Sequence, residues 1–141
     1  MKGAKDGLKV TVEIVPTLVG LMVAIGILRA SGALTMLSDL IEPLIAKLMF
    51  PAQLVPLVIV KMFSSSAATS LLLDLFKEFG PDSYYGRLAS IMMSCTETIF
   101  YTMSVYFLVA EVKKTRYTLA GALIATLAGV VGSTIVTNLV F

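Results

Sequence analysis

The sequence predicts an all-α integral membrane protein, and three observations carry the prediction. Tyr117–Phe141 is a run of 25 residues without a single charge. Across the whole chain 57% of residues are hydrophobic and 14% are charged, against about 25% charged in an average soluble domain, and the mean hydropathy is +0.93. The charges that exist gather at the ends of apolar segments, as in Lys2–Lys9 and Lys113–Arg116. A soluble core of this size would need them spread over its surface.

Composition also removes several kinds of chemistry. The chain has no histidine and a single cysteine, Cys95, so a His-based metal site, a Ser–His or Cys–His pair and an internal disulfide are all excluded. Cys95 is expected to be a small buried packing residue. A net charge of +2 suggests no nucleic-acid surface.

The first span is expected over residues 10–29. Lys2, Lys5 and Lys9 precede it, and no small-residue cleavage site follows, so it reads as a retained span. Glu13 and Pro16 lie near its start; Glu13 is read as an interface carboxylate beside the lysines or as a proton or ion carrier inside the bundle. Ser31-Gly32 is a turn signal, with Ser31 or Ser38 available to cap the next helix. Over residues 33–49 the apolar positions Leu34, Leu37, Ile41, Leu44 and Leu48 alternate three and four apart, while Asp39, Glu42 and Lys47 fall elsewhere on the wheel. That pattern predicts an amphipathic helix lying in the membrane interface, bent at Pro43.

Residues 52–79 are different. Two apolar runs, Leu54–Phe63 and Leu71–Phe76, flank Ser64-Ser65-Ser66-Ala67-Ala68-Thr69-Ser70, and neither run reaches the ~20 residues a spanning helix needs. The pair therefore predicts a re-entrant helical hairpin with Ser64–Ser66 at its tip, closed by the turn Gly80-Pro81-Asp82-Ser83. Residues 84–112 form a broken span, interrupted at Ser94-Cys95-Thr96-Glu97-Thr98. The final span is 117–141. A re-entrant hairpin puts the lysine-rich N-terminus and the Lys113–Arg116 loop on one side of the membrane, the cytoplasmic one by the positive-inside rule.

Two successive interruptions in apolar segments are a sequence pointer to a substrate site in a secondary transporter, because half-helix ends and freed carbonyls supply ligands there. The candidate substrate-binding residues are Ser64, Ser65, Ser66, Thr96, Glu97 and Thr98, with a possible Na⁺ position near Ser66, Ser94 and Thr96 and Na⁺ or H⁺ as coupling ion. Small residues at the tip also serve plain helix packing, and Glu97 has a structural reading as the ion-pair partner of Lys61. Lys61 with Ser64 or Ser65, three and four residues on, imitates a Ser–Lys dyad. No oxyanion-hole motif accompanies it, so catalysis is not expected.

The chain resembles the spore maturation protein B family, a branch of the nucleoside-recognition or gate-domain membrane proteins related in plan to concentrative nucleoside transporters. The matching text is Glu13-Ile14-Val15-Pro16 with Leu18-Val19-Gly20, Arg29-Ala30-Ser31-Gly32-Ala33-Leu34, Gly80-Pro81-Asp82-Ser83, Gly86-Arg87-Leu88-Ala89-Ser90, and Thr96-Glu97-Thr98 followed by Tyr101 and Val105-Tyr106-Phe107. Two departures stand out: relatives begin with a further hydrophobic helix, and many carry a glycine in the tip where this chain has Ser64-Ser65-Ser66. What the resemblance implies is one gate-domain repeat in the cell membrane, holding half of a site for a small polar, nucleoside-like solute. The other half would come from a spore maturation protein A-like partner or from a second copy. The implied role lies in maturing the dehydrated spore core, and a non-transporting scaffold for spore-envelope assembly is the other role compatible with it.

Overall fold

The computed structural model describes residues 2–45 and 50–141. Every regular element among them is helical, which is what a chain rich in long apolar runs must do where no water is present to satisfy a free backbone. In chain order these are α1 (Lys2–Ala30), α2 (Ala33–Ile45), a single 3₁₀ turn (Ala52–Leu54), α3 (Val55–Phe63), α4 (Ser65–Phe79), α5 (Tyr84–Cys95), α6 (Ile99–Val109) and α7 (Thr118–Val140). Two of them, α1 and α7, are long and apolar enough to cross a membrane.

Several boundaries differ from expectation. Helix α1 begins at Lys2 rather than residue 10: the lysine-rich segment continues the same helix, with Lys9 and Glu13 one turn apart and 3.9 Å from each other on an exposed face. Pro16 lies inside α1 without ending it, although an interior proline removes a backbone donor and crowds the preceding turn. The turn after α1 uses Gly32 at φ +75, and Ser31 receives the Ala33 amide at 3.4 Å while donating to Leu28 O at 2.8 Å. Ser38 is no cap; it sits within α2, buried, and donates to Leu34 O. Leu34 and Ile41 pack toward the core. The far end of the predicted amphipathic helix, including Lys47 and Leu48, lies outside the described residues. Helix α6 stops at Val109 rather than 112, and residues 110–117 lead into α7.

The core sits between α3, α4 and α5. Leu54, Leu57, Leu88 and Met92 are fully buried, with Ala68, Leu71, Leu75 and Ala89 around them; Ile25 of α1 and Val130 of α7 close its margins. Helices α4 and α5 are antiparallel, joined by a turn in which Gly80 takes φ +85 and Ser83 caps α5 by accepting the Gly86 amide at 3.1 Å and donating to Gly80 O at 2.8 Å. Helix α7 runs back along α5. Its Gly129 lies against Cys95 O, where a Cβ would stand 3.0 Å away, and Phe141, just after its end, carries the Arg87 guanidinium 4.6 Å above its ring. Gly121 and Gly132 have open space where a side chain would go.

Arg29 ties α1 to the base of α4. Its Nε lies 2.5 Å from Asp74 Oδ2 and its Nη1 bonds Glu78 Oε2, two carboxylates four residues apart on one face of α4. Because the C-terminal ends of α1 and α4 meet there, α1, about 43 Å long at 1.5 Å per residue, extends well past the start of α4. Its lysines therefore share an end of the helix set with the loop carrying Lys113, Lys114 and Arg116.

Gly86 cannot carry a side chain as the turn stands, because a Cβ would overlap Gly80 O and Pro81 O. Gly86→Ala is expected to lower stability by about 1–3 kcal/mol, read as a fall in midpoint in a detergent-solubilised thermal or denaturant series; an unchanged midpoint would show that the turn relaxes freely. Gly129→Leu is expected to push α7 off the end of α5. The check is a disulfide between Cys95 and an introduced Ala125→Cys, which should form in the parent and fail when Gly129→Leu is added.

Candidate functional site

The hairpin turns on one residue. Ser64 leaves helical geometry (φ −146, ψ 116) between α3 and α4, and its Oγ accepts the Ala67 amide at 3.2 Å, capping α4. A serine suits this role because its short side chain reaches the free first-turn amides. Ser65 and Ser66 follow in the first turn of α4, both exposed, and their carbonyls accept the hydroxyls of Thr69 and Ser70 at 2.9 and 3.2 Å.

The second interruption is three residues long. Helix α5 ends at Cys95, Thr96 is extended (φ −123, ψ 150), and α6 starts at Ile99. Thr96 is buried and donates to Met92 O at 2.8 Å, occupying one of the carbonyls that a helix end leaves open. Thr98 is buried too, yet its side chain makes no cap on α6, so the first-turn amides of α6 keep their donors free. Glu97 between them is exposed.

These two interruptions lie side by side. Phe63, the last residue of α3, stacks on Phe100 in the first turn of α6, with centroids 4.6 Å apart and planes at 15°. Since α4 and α5 are antiparallel, the start of α4 and the end of α5 also share this level. Four helix ends thus converge, two carrying the partial negative charge of C-termini (α3, α5) and two the partial positive charge of N-termini (α4, α6). Behind the break, toward α7, a hollow of about 320 Å³ is lined by Thr96, Glu97, Thr102, Thr118 and Thr126 among others.

Two expectations are corrected here. Cys95 is exposed, not a buried packing residue, because the helix ends at it and the chain turns away. Among the described residues Lys61 and Glu97 form no ion pair: Lys61 is buried and Glu97 faces outward. The extended Ser64 ends α3, so the helical spacing that the sequence gives Lys61 and Ser65 does not carry across the tip. Of the three residues named for a Na⁺, only Thr96 lies in the interior; Ser66 and Ser94 are exposed, and Ser94 donates to Ile91 O at 2.7 Å.

Sequence reasoning missed the Arg29 clamp and the polar cleft beside it. That cleft, about 370 Å³, is lined by Arg29, Thr35, Ser38, Asp39, Glu42, Gln53, Glu78 and Tyr85 over an apolar floor that includes Leu57 and Leu71. A signal was present in Asp74 and Glu78, two carboxylates at helical spacing on α4, which offer one cation a pair of partners.

Residues 11–113 match the family model described as Gate: Nucleoside recognition. Over its whole length the chain is 41% identical to "Spore maturation protein B" of Bacillus subtilis (strain 168), covering 79% of that protein. No solved structure matches it. With the model covering most of the chain and the identity extending from end to end, this all-helical chain belongs to the spore maturation protein B family of nucleoside-recognition Gate membrane proteins.

Proposed function

We propose that this chain is one half of a membrane transport unit for a small polar, nucleoside-like solute. The observation that carries the reading is the convergence of the Ser64 tip and the 96–98 break at one level, with Ser65, Ser66 and Glu97 turned outward. Backbone groups left open at such a level cost several kcal/mol each if they face lipid. A second surface has to cover them. Inverted repeats of this kind meet with the site between them, so the cover is a second gate domain, a spore maturation protein A-like partner in first place and another copy of this chain in second.

In this reading α3 and α4 enter the membrane from one side and return to it, α5 with α6 crosses, and α2 lies in the interface. Both basic clusters then share the cytoplasmic side by the positive-inside rule, which puts the N-terminus there and the Arg29 clamp on the outer side. Ser64, Ser65, Ser66, Thr96, Glu97 and Thr98 contact the solute, and Na⁺ or H⁺ couples its movement, Glu97 being the group able to carry a proton. The spore maturation role of the relative is then solute movement that accompanies maturation of the spore.

The test is uptake into liposomes holding this chain with its gate-domain partner. Removing one solute hydrogen bond costs on the order of 1.4 kcal/mol, a factor of ten, so Ser65→Ala is expected to reduce nucleoside uptake about tenfold, and Glu97→Gln to remove its dependence on the coupling ion. If both variants support normal sporulation at normal membrane levels, the chain is a scaffold for envelope assembly and not a carrier. For the assembly itself, Ser65→Cys is expected to crosslink to a gate-domain partner at mid-membrane depth; a stable ligand-binding monomer in nanodiscs contradicts the half-site.

A further inference from the structure

Lys61 is a basic residue where apolar ones are expected. It stands one turn beyond Leu57 on the face that α3 turns to the core, and only 8% of it is exposed while Leu57 is fully buried. Among the described residues no carboxylate lies within salt-bridge distance of it, and no hydrogen bond from it is formed. Every fully buried side-chain nitrogen or oxygen among those residues does have a partner, so the Lys61 Nζ must retain some open surface while its methylene stem is covered. Lys61 stands in the last turn of α3, three residues before Ser64, which caps α4, so its backbone is one turn from the tip.

A buried cation without a counter-charge is costly, and this one belongs to the turn of α3 that leads into the tip, the level at which α4 and α6 begin, α6 without a side-chain cap. Positive charge, free amides and tip hydroxyls are the elements of an oxyanion site. We propose that Lys61 binds an anionic group, phosphate or carboxylate, of the solute taken at the tip and break. This rests on the half-site reading above and narrows the solute from polar to anionic. The structural role open to Lys61, in the last turn of α3 where a cation complements the helix C-terminus, requires no ligand, so the two are separable.

Binding to the full chain reconstituted in nanodiscs together with its gate-domain partner separates them, with uridine, uridine 5′-monophosphate, inorganic phosphate and acetate as probes. The expected result is that the monophosphate binds at least about tenfold more tightly than uridine, that Lys61→Arg keeps this preference, and that Lys61→Gln abolishes it. Lys61→Gln keeps a polar head and nearly the same length, which guards against misfolding. Lys61-dependent binding of phosphate alone or of acetate alone supports the proposal and tells which oxyanion is taken. Equal binding of uridine and its monophosphate, or a preference that survives Lys61→Gln, overturns the proposal and leaves the half-site standing. If no probe binds and Lys61→Gln only lowers the melting temperature, Lys61 serves α3 and the proposal fails. The half-site falls with it only if Ser65→Ala and Glu97→Gln also leave uptake unchanged.

Discussion

Everything in this chain is arranged around the cost of an unpaired backbone group in an apolar setting. A helix satisfies its own amides and carbonyls except in its first and last turns, so two interruptions create four sets of open groups at one depth. The sequence answers some of them locally: Ser64 accepts the Ala67 amide and Thr96 donates to Met92 O. It leaves the first turn of α6 unanswered. What remains open is where the chain has chemistry to offer.

Holding those ends at one depth falls to the packing beneath them. Leu57, Leu71, Leu88 and Met92 fix α3, α4 and α5 against one another, and the base of the hairpin is pinned at two further points. Arg29 bridges α1 to Asp74 and Glu78, while Gly86 lets α5 approach the 80–83 turn so closely that no side chain fits. On the other flank Gly129 admits the carbonyl of Cys95, bringing α7 against the break. Small residues thus act at both ends of α5, one setting where it starts and one what it leans on.

The breaks were legible because they are failures of length. Apolar runs such as Leu54–Phe63 are too short to span, and the hydroxyl cluster after Phe63 and Thr96-Glu97-Thr98 after Cys95 have no other way to be accommodated. The Gly80–Ser83 turn was equally plain, each residue having a local conformational reason. Features that depend on which helix lies beside which were not. Nothing local tells that Arg29 meets Asp74 45 residues later, that Cys95 faces outward, or that Lys61 lies inside while Glu97 lies outside. The early start of α1 was missed for another reason: lysine is a good helix former, so the end of the apolar run is not the end of the helix.

The junction between α3 and α4 has only one non-helical residue, and that residue is held by its own cap. Ordering a residue's backbone costs about 1–2 kcal/mol, and a longer loop would forfeit that for each residue whenever it closed on something. Ser64 has almost nothing left to lose. On the half-site reading proposed above, the tip is therefore a template and not a lid: it discriminates by fit to a shape that exists beforehand, and any opening or closing around it has to come from whole helices shifting, with the pivots located outside the site.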